Sequence, residues 1–182
     1  MTQQRPLRFG ILGAGMIAGD EDGFLPNLTT LGNKVEVTTV ADVVPEHAQR
    51  IARRFGIGTV YESLDEMLRD DRVEAVANLT PISVHAETSM RILRSGRHLL
   101  SEKPLATLEE ADALIEEAER QGVVFVCAPP DTLYAQYREA RRLIDEDRIG
   151  QVCFARVRSS HGGPGGAPDG WPFDPTWFYQ PG

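Results

Sequence analysis

The stretch LRFGILGAGMIA, residues 7–18, decides the fold prediction for this chain. Leu7 to Leu12 is a short apolar run of the kind that forms a buried strand. The residues that follow fit the pattern GxGxxG/A, with Gly13 and Gly15 in the first two places and Ala18 in the last. Between a strand and a helix, this pattern predicts a tight turn whose open backbone and free helix amides face a pyrophosphate. The alternative is a purely structural glycine turn.

Apolar segments alternate along the chain in a pattern typical of strands and helices that follow one another. The predicted strands after the first span Val35 to Ala41, Thr59 to Tyr61, Ala75 to Leu79, His98 to Ser101 and Val123 to Cys127. The predicted helices after the glycine turn begin at Pro45, at a Ser63/Glu66 capping box, at Val84 and at a Thr107/Glu110 capping box. Strands joined through helices by short connections pair in parallel. The predicted fold class is therefore α/β, a Rossmann-type doubly wound parallel sheet.

Finer predictions concern individual helix faces and the end of the chain. In the helix that begins after Thr107, the expected buried face consists of Ala111, Leu114, Ile115 and Ala118. The acidic residues of this helix are interpreted as a solvated face, among them Glu116, Glu117 and Glu119. Beyond Pro130 the sequence predicts another amphipathic helix, with one face formed by Leu133, Tyr137, Ala140 and Ile144. A strand from Val152 to Arg158 and a loop from His161 follow.

The composition of the chain excludes several classes of partner. The 182 residues include 19 Lys and Arg against 27 Asp and Glu, a formal charge of −8. Such a charge repels phosphate backbones and anionic lipid, so we expect neither nucleic-acid nor membrane binding. Cys127 and Cys153 form no metal-ligand or disulfide pattern, and no metal site is predicted. We expect a soluble, cytoplasmic protein; the alternative, a secretory signal over Phe9 to Ala18, is disfavoured by the glycine pattern.

A carboxylate stands where the second predicted strand ends. Asp42 occupies the place at which an acidic side chain accepts hydrogen bonds from the adenosine ribose hydroxyls. A carboxylate there repels a 2′-phosphate, and no Arg follows directly, although three lie on the next predicted helix, at Arg50, Arg53 and Arg54. The predicted cofactor is therefore NAD rather than NADP. The alternative is that Asp42 only caps the turn before Pro45.

Two further segments lie just past predicted strands, on the side of an α/β sheet where ligands bind. The first is a TPxxxH stretch, Thr80 to His85, which follows Asn78; the second is an EKP triplet, Glu102 to Pro104, which follows Ser101. Together with Asp42, these segments resemble the Gfo/Idh/MocA family of oxidoreductases, of the glucose-fructose oxidoreductase and inositol dehydrogenase type. The resemblance covers nearly the whole chain. It departs from the family at residues 127–132, where a Pro-Asp-Thr turn replaces the usual segment rich in Asn and Arg.

The resemblance implies hydride exchange between a nicotinamide ring and a carbinol carbon of a sugar, cyclitol or related polyol. Lys103 would then be the catalytic residue, buried beside the nicotinamide and suited to proton transfer or hydroxyl polarisation. The implied cofactor contacts, besides Lys103 itself, are Gly13, Gly15, Met16, Ile17, Asp42, Thr80, Pro81, His85 and Glu102. For Lys103 the alternative is a surface loop residue, and for His85 it is a structural histidine with satisfied hydrogen bonds.

The resemblance also divides the chain into two parts. Residues 1–128 correspond to an NAD(P)-binding domain, and residues 129–182 to the incomplete start of an α+β domain that forms the substrate pocket and often the oligomer interface. The family's DxGxH segment, whose Asp and His would assist Lys103, is absent from the sequence, so we expect the isolated chain to bind cofactor without turnover. The alternatives are a non-catalytic dinucleotide-binding module and an enzyme that recycles a tightly bound cofactor. The substrate and any homo-oligomer of a longer form stay open.

Overall fold

The structure, a computed structural model, describes residues 5–21, 23–105, 107–128 and 133–158. The chain divides after Pro129 into two compact units, which are described separately. The Pro-Asp-Thr turn and the loop predicted from His161 onward lie outside the described residues.

Parallel strands form a single six-stranded sheet in the described part of the first unit. Their bounds are β1 Leu7–Leu12, β2 Val35–Ala41, β3 Thr59–Tyr61, β4 Ala75–Asn78, β5 His98–Ser101 and β6 Phe125–Cys127. They lie in the order β3-β2-β1-β4-β5-β6, and each neighbouring pair is parallel. This is the order of a doubly wound Rossmann sheet, in which the direction of winding reverses between β1 and β4. The predicted fold class is confirmed.

The predicted strand bounds differ from the observed ones at two places. β4 ends at Asn78, one residue earlier than predicted, and β6 begins at Phe125 rather than Val123. Val123 still belongs to the end of the preceding helix, because its amide donates a hydrogen bond to the carbonyl of Ala118 at 3.1 Å. The apolar segment was predicted correctly, but the residue at which the strand begins was not.

Seven α-helices occur in the described residues. Their bounds are α1 Met16–Gly19, α2 Phe24–Leu28, α3 Pro45–Phe55, α4 Leu64–Leu68, α5 His85–Arg94, α6 Leu108–Gln121 and α7 Ala135–Asp145. Short 3-10 segments, Thr29–Lys34 and Ile82–Val84, precede β2 and α5. The single helix predicted between β1 and β2 is thus divided into α1, α2 and a 3-10 turn. A turn closed by the amide of Gly23, which donates to the carbonyl of Asp20 at 2.8 Å, separates α1 from α2.

The predicted capping boxes differ in how completely they form. At α6 the hydroxyl of Thr107 accepts from the amide of Glu110 at 3.2 Å, and the Glu110 carboxylate accepts from the amide of Thr107 at 3.0 Å. At α4 the hydroxyl of Ser63 accepts from the amide of Glu66, but the Glu66 carboxylate accepts from the amide of Glu62. The second prediction was therefore half wrong, because the backbone before α4 turns a different amide toward the carboxylate.

Helices cover both faces of the sheet and bury two apolar clusters. Residues of α1, α2 and α3 pack on one face together with Ile11 and Val40. Residues of α4, α5 and α6 pack on the other face together with Leu12 and Val76. Adjacent residues of β1 enter opposite clusters because side chains alternate across a strand. The chemistry-bearing loops are left at the carboxyl edge of the sheet, between the two helical layers.

The buried face of α6 differs from the prediction at two residues. Ile115 is 47% exposed, whereas Glu117 is only 9% exposed and lies beside the buried Leu114 and Ala118. The positions i, i+3 and i+4 from Leu114 define the face that packs, and Glu117 occupies one of them. Its carboxylate accepts hydrogen bonds from the side chains of Arg120 and Gln121, and the Arg120 guanidinium pairs its charge at the edge of the core.

The described part of the second unit contains α7 and a segment without regular secondary structure. The predicted helix is present, but Leu133 precedes it, and the predicted apolar residues Leu133, Tyr137 and Ile144 are all exposed. The predicted strand Val152 to Arg158 was wrong: these residues form no strand, and all of them are exposed. A strand requires a neighbour to pair its backbone groups, and no segment in the described part of this unit supplies one.

Glu74 links the start of β4 to the residues that enter β1. Its carboxylate accepts from the Arg5 guanidinium at 2.7 Å and from the Arg8 amide at 3.2 Å. The bonds from Arg5 are the main reason that the pKa of Glu74 is lowered from 4.5 to about 2. Because the folded-state pKa is lowered, this stabilisation is complete above about pH 5 and is lost as the pH falls toward about 2.

We predict that Glu74→Gln lowers the free energy of unfolding by about 1 kcal/mol at neutral pH, a value kept small because exposed Arg5 is screened by solvent. The difference from wild type should vanish near pH 2, where the native carboxyl is also becoming protonated. Urea unfolding across this pH range measures both effects. Asp65→Asn, which removes the more exposed ion pair with Arg91, is the control and should change little. A difference that stays constant with pH would contradict the prediction.

Candidate active site at the carboxyl edge of the sheet

The glycine-rich turn after β1 has one closed side and one open side. Gly13 has a φ of +93°, and a Cβ placed on it would lie 2.7 Å from the backbone of Leu79. A Cβ on Gly15 would meet nothing within 4 Å. Packing therefore requires glycine at position 13 but not at position 15, so a purely structural turn does not explain Gly15. The open side also holds the first amides of α1, Met16 and Ile17, which have no carbonyl partner within the helix.

Asp42 connects the end of β2 to this turn. One carboxylate oxygen accepts from the amide of Ala14 at 2.7 Å, and the other accepts from the amide of Val44 at 2.8 Å. The second bond is the turn cap considered as the alternative for this residue. The first bond shows that Asp42 also holds the glycine-rich turn. Each carboxylate oxygen has a further lone pair, so the side chain can still accept hydroxyl donors.

A basic residue reaches the same turn from α3. The guanidinium of Arg50 donates to the carbonyl of Ala14 at 3.3 Å. The sequence placed Arg50 on the correct helix but gave no reason to choose it over Arg53 or Arg54. Only the packing of α3 beside β2 identifies which of the three guanidinium groups approaches the turn.

Asn78, the last residue of β4, organises the loop that follows this strand. Its side chain is fully buried, and its amide nitrogen donates to the hydroxyls of Thr88 at 2.8 Å and Ser89 at 3.0 Å. Its carbonyl oxygen accepts from the hydroxyl of Thr80 at 2.7 Å and from the Thr80 amide at 3.3 Å. No role for Asn78 is predicted from the sequence. The sequence feature that could have indicated such a role is a polar residue at the end of an otherwise apolar strand, because a buried polar side chain needs hydrogen-bond partners.

His85, at the start of α5, connects the two segments that carry the family resemblance. Its side chain is 2% exposed. Nε2 lies 2.5 Å from the carbonyl oxygen of Thr80, and Nδ1 lies 2.8 Å from the carbonyl oxygen of Pro104. Because both ring nitrogens face protein carbonyl oxygens, the geometry favours the structural alternative for His85 over direct contact with a cofactor.

The EKP triplet continues directly from β5. The amide of Glu102 donates to the carbonyl of Asn78 at 3.0 Å, which holds the triplet beside the end of β4. The Glu102 carboxylate accepts from the amide of Lys103 at 2.9 Å, and the peptide bond between Lys103 and Pro104 is cis. The Lys103 side chain is exposed. The burial expected for Lys103 is therefore not provided by the described residues.

The predicted site residues gather at one edge of the sheet. The glycine-rich turn follows β1, Asp42 follows β2, Thr80 and Pro81 follow β4, and Glu102 and Lys103 follow β5. These four strands are neighbours in the order β2-β1-β4-β5. The place where β1 and β4 meet is the crevice in which doubly wound sheets bind ligands. Within the described ranges, no cluster of three or more His, Cys, Asp or Glu side chains could hold a metal ion, and no helix is long and apolar enough to span a membrane.

Comparison with known proteins identifies the family. Residues 7–128 match the family model described as the GFO_IDH_MocA oxidoreductase family, with an NAD-binding Rossmann fold. The chain belongs to this family. The resemblance carried by Asp42, the TPxxxH stretch and the EKP triplet is thereby confirmed. Gfo/Idh/MocA proteins bind nicotinamide dinucleotides, so the chain is an NAD(P)-binding member of an oxidoreductase family.

Several characterised members are similar to this Gfo/Idh/MocA chain. The 1,5-anhydro-D-fructose reductase of Ensifer adhaerens is 34% identical over 151 residues, which are 82% of this chain and 44% of the relative. The scyllo-inositol 2-dehydrogenase (NAD(+)) of Bacillus subtilis is 29% identical, over 83% of this chain and 44% of the relative. The crystal structure of the 3-ketoreductase KijD10 from Actinomadura kijaniata, in complex with NADP and TDP-benzene, has a TM-score of 0.70 and 34% identity, over 81% of this chain and 44% of that one. The chain thus spans less than half the length of these relatives.

Proposed function

We propose that this chain is the dinucleotide-binding part of an NAD-dependent oxidoreductase that moves a hydride between nicotinamide and a carbinol carbon of a sugar, cyclitol or related polyol. The observation that carries the proposal is the meeting of an open glycine-rich turn, a carboxylate and the EKP lysine at adjacent strand ends. Reductases and dehydrogenases of sugars and cyclitols among the similar proteins support the substrate class. Residues 1–128 would bind the dinucleotide, and residues 129–182 would begin the substrate domain.

The positions of the loops support a separate role for each of them in binding the dinucleotide. The open backbone at Gly15, with the amides of Met16 and Ile17, would receive the pyrophosphate. The free lone pairs of Asp42 would accept the adenosine ribose hydroxyls. Thr80, Pro81, Glu102 and Lys103, at the ends of β4 and β5, would border the nicotinamide. The bound dinucleotide supplies the hydride acceptor or donor, and the chain supplies its position and a proton carrier.

The proton carrier in this proposal is Lys103. During oxidation of an alcohol, the hydroxyl proton passes to Nζ of Lys103 as the carbon gives up its hydride, and during reduction Nζ returns the proton to oxygen. The backbone amide of Lys103 donates to the Glu102 carboxylate, and this hydrogen bond restrains the backbone from which the Lys103 side chain projects.

The preference for NAD over NADP rests on Asp42. We predict that the chain binds NADH at least about tenfold more tightly than NADPH, because a carboxylate beside a 2′-phosphate repels it by more than about 1.4 kcal/mol. Titration of the purified chain with each nucleotide, followed by nicotinamide fluorescence, measures the ratio. Asp42→Asn should reduce the ratio of the two affinities toward one, because NADH loses a hydrogen-bond acceptor for its ribose hydroxyls and the 2′-phosphate of NADPH is no longer repelled.

The control for this titration is Glu119→Gln, which removes an exposed carboxylate in the last turn of α6, on the side of the sheet where β6 begins, and should leave the ratio unchanged. Unfolding measurements on Asp42→Asn should accompany the titration, since an NH2 group would replace one of the two oxygens that accept from Ala14 and Val44, and some stability is lost. Absence of saturable binding for both nucleotides would contradict the proposed dinucleotide site. Equal affinities in the wild type would contradict the role of Asp42 in specificity.

A non-catalytic dinucleotide-binding module is the second candidate function. The exposed side chain of Lys103 supports it, because an exposed amine lacks the water-excluded setting in which a proton carrier acts efficiently. Both candidates predict nucleotide binding, and they differ in whether substitution of Lys103 has any effect on turnover.

A further inference from the structure

The neighbours of the buried Asn78 side chain allow only one orientation of its amide group. An amide can be placed in two ways, which differ by an exchange of its oxygen and its nitrogen. The backbone N–H of Thr80 can only donate, so the Asn78 atom 3.3 Å from it is the oxygen. The other amide atom lies 2.8 Å from the hydroxyl of Thr88. That hydroxyl already donates to the carbonyl of Val84 at 2.7 Å, so it accepts from Asn78, and the atom that faces it is the nitrogen.

This orientation fixes the direction of the hydrogen bond between Asn78 and the Thr80 hydroxyl. The hydroxyl oxygen lies 2.7 Å from Oδ1 of Asn78, which carries no hydrogen, so the hydroxyl proton points at Asn78. A threonine hydroxyl has one proton and two lone pairs. Thr80 is half-buried, and within the described ranges no group donates to its hydroxyl oxygen. Toward a ligand at this edge of the sheet, the Thr80 hydroxyl is therefore an acceptor and not a donor.

Bonds at both ends of its amide hold Asn78 in this orientation. The nitrogen donates to the hydroxyls of Thr88 and Ser89, the latter at 3.0 Å, and the oxygen accepts twice from Thr80. Because the Asn78 side chain is fully buried, rotating it would leave several of these groups without partners, which is costly. The direction of the Thr80 hydroxyl is thus set before any ligand binds, so binding does not have to restrict its rotation.

We propose that Asn78 is a positioning residue that fixes Thr80 as the acceptor for a hydrogen-bond donor on the nicotinamide half of the dinucleotide. This role rests on the proposed function, in which Thr80 borders the nicotinamide. The nicotinamide half carries two kinds of donor, the NH2 of its carboxamide and the hydroxyls of its ribose. The backbone carbonyl of Asn78 also accepts from the amide of Glu102 at 3.0 Å, so the same residue holds the Thr80 loop beside the loop of Lys103.

Binding of two reduced dinucleotides to Thr80→Val tests the ligand of Thr80. The probes are NADH and its acetylpyridine analogue, in which a methyl group replaces the carboxamide NH2. Valine has nearly the shape of threonine but accepts no hydrogen bond, so NADH affinity should fall about fivefold to tenfold. An unchanged affinity for the analogue would identify the carboxamide as the donor, and an equal loss for both probes would identify a ribose hydroxyl. Wild-type affinities for both probes would overturn the proposal.

Two further substitutions are the controls for this titration. Thr80→Ser keeps the hydroxyl and should keep most of the NADH affinity. Thr30→Val removes a hydroxyl that also donates to a nearby carbonyl, that of Asn27 at 2.7 Å, but Thr30 lies in the 3-10 segment before β2. Thr30→Val should therefore leave the affinity for both probes unchanged.

A double-mutant cycle tests whether Asn78 acts through Thr80. Asn78→Leu removes the acceptor of the hydroxyl proton and should weaken NADH binding at least about threefold in the chain that keeps Thr80. In the Thr80→Val chain the same substitution should have little further effect, whereas a merely structural role of Asn78 would weaken NADH equally in both chains.

The wild-type chain supplies a measurement that stands even where Asn78→Leu fails to fold. In NMR spectra of the unliganded ¹⁵N-labelled chain, the side-chain NH2 protons of Asn78 should exchange with solvent much more slowly than those of the exposed Asn33. Fast exchange at Asn78, or equal losses in both chains of the cycle, would overturn its positioning role. Absence of NADH binding by the wild type would instead overturn the proposed function, and the exchange measurement does not depend on it.

Discussion

Lys103→Met is expected to lower kcat/KM for polyol oxidation by about 10²–10⁴-fold in a longer form of this protein that turns over such a substrate. The reason is that methionine keeps the length and apolar stem of the side chain but cannot accept or return a proton, and general acid–base catalysis contributes a factor of this size. NADH affinity should change by less than about threefold, because a loss confined to the transition state leaves ground-state binding nearly intact. Steady-state kinetics and nucleotide titration on the same preparation measure both quantities.

The sequence offers a matched control for this substitution, because it contains one other lysine, Lys34. Lys34 is exposed at the end of the 3-10 segment before β2, so Lys34→Met should leave turnover unchanged. Lys103→Arg adds a sharper distinction. Arginine keeps the positive charge but does not release its proton. If Lys103 transfers a proton, turnover by Lys103→Arg should be as low as turnover by Lys103→Met. If only the positive charge is needed, Lys103→Arg should keep most of its turnover. Unchanged turnover in Lys103→Met would rule out the proposed catalytic role and favour the non-catalytic module.

The sheet could be predicted because its determinants are local. The apolar runs that form β1, β2, β3 and β5 have the observed bounds, and the Thr107 capping box marks the start of α6 correctly. Each of these signals lies within a few residues of the structure that it specifies. The failures involve packing partners that are distant in the sequence. Ile115 is exposed and Glu117 is buried, the reverse of the prediction, because the contact of α6 with α5 and the sheet decides which face is buried, and hydrophobicity alone does not.

The candidate site was predictable in its location but not in its internal contacts. Asp42, Thr80 and Lys103 each follow a predicted strand, and a parallel sheet brings such positions to one edge. The network centred on Asn78 could not be found in this way, because its partners Thr88 and Ser89 lie on the next helix and are chosen by the packing of α5 on β4. The exposure of Lys103 was missed for a related reason: the expectation of burial came from the whole family architecture rather than from neighbours within this chain.

Gly13→Ala is expected to lower the free energy of unfolding by about 3 kcal/mol or more. Alanine at a φ of +93° pays a backbone penalty of about 1–2 kcal/mol, and a methyl group 2.7 Å from the backbone of Leu79 adds an overpacking cost of about 1–3 kcal/mol. Leu79 cannot move aside easily, because its amide donates to the carbonyl of Leu12 at 2.7 Å and joins β4 to β1. Urea unfolding measures the loss directly.

Gly15→Ala should leave stability nearly unchanged and weaken NADH binding. Together, the two variants test whether Gly13 serves packing and Gly15 serves pyrophosphate binding. Gly15 has a φ of −79°, which alanine adopts without strain, and its Cβ would meet nothing within 4 Å. Stability should therefore change by less than about 1 kcal/mol, while NADH affinity falls at least about tenfold because the methyl group occupies the space through which a pyrophosphate reaches the backbone. Undiminished NADH affinity in a folded Gly15→Ala chain would mean that the pyrophosphate does not lie on this turn. In that case Gly13 would explain the motif by packing alone, and the structural glycine turn would be the correct interpretation of residues 13–18.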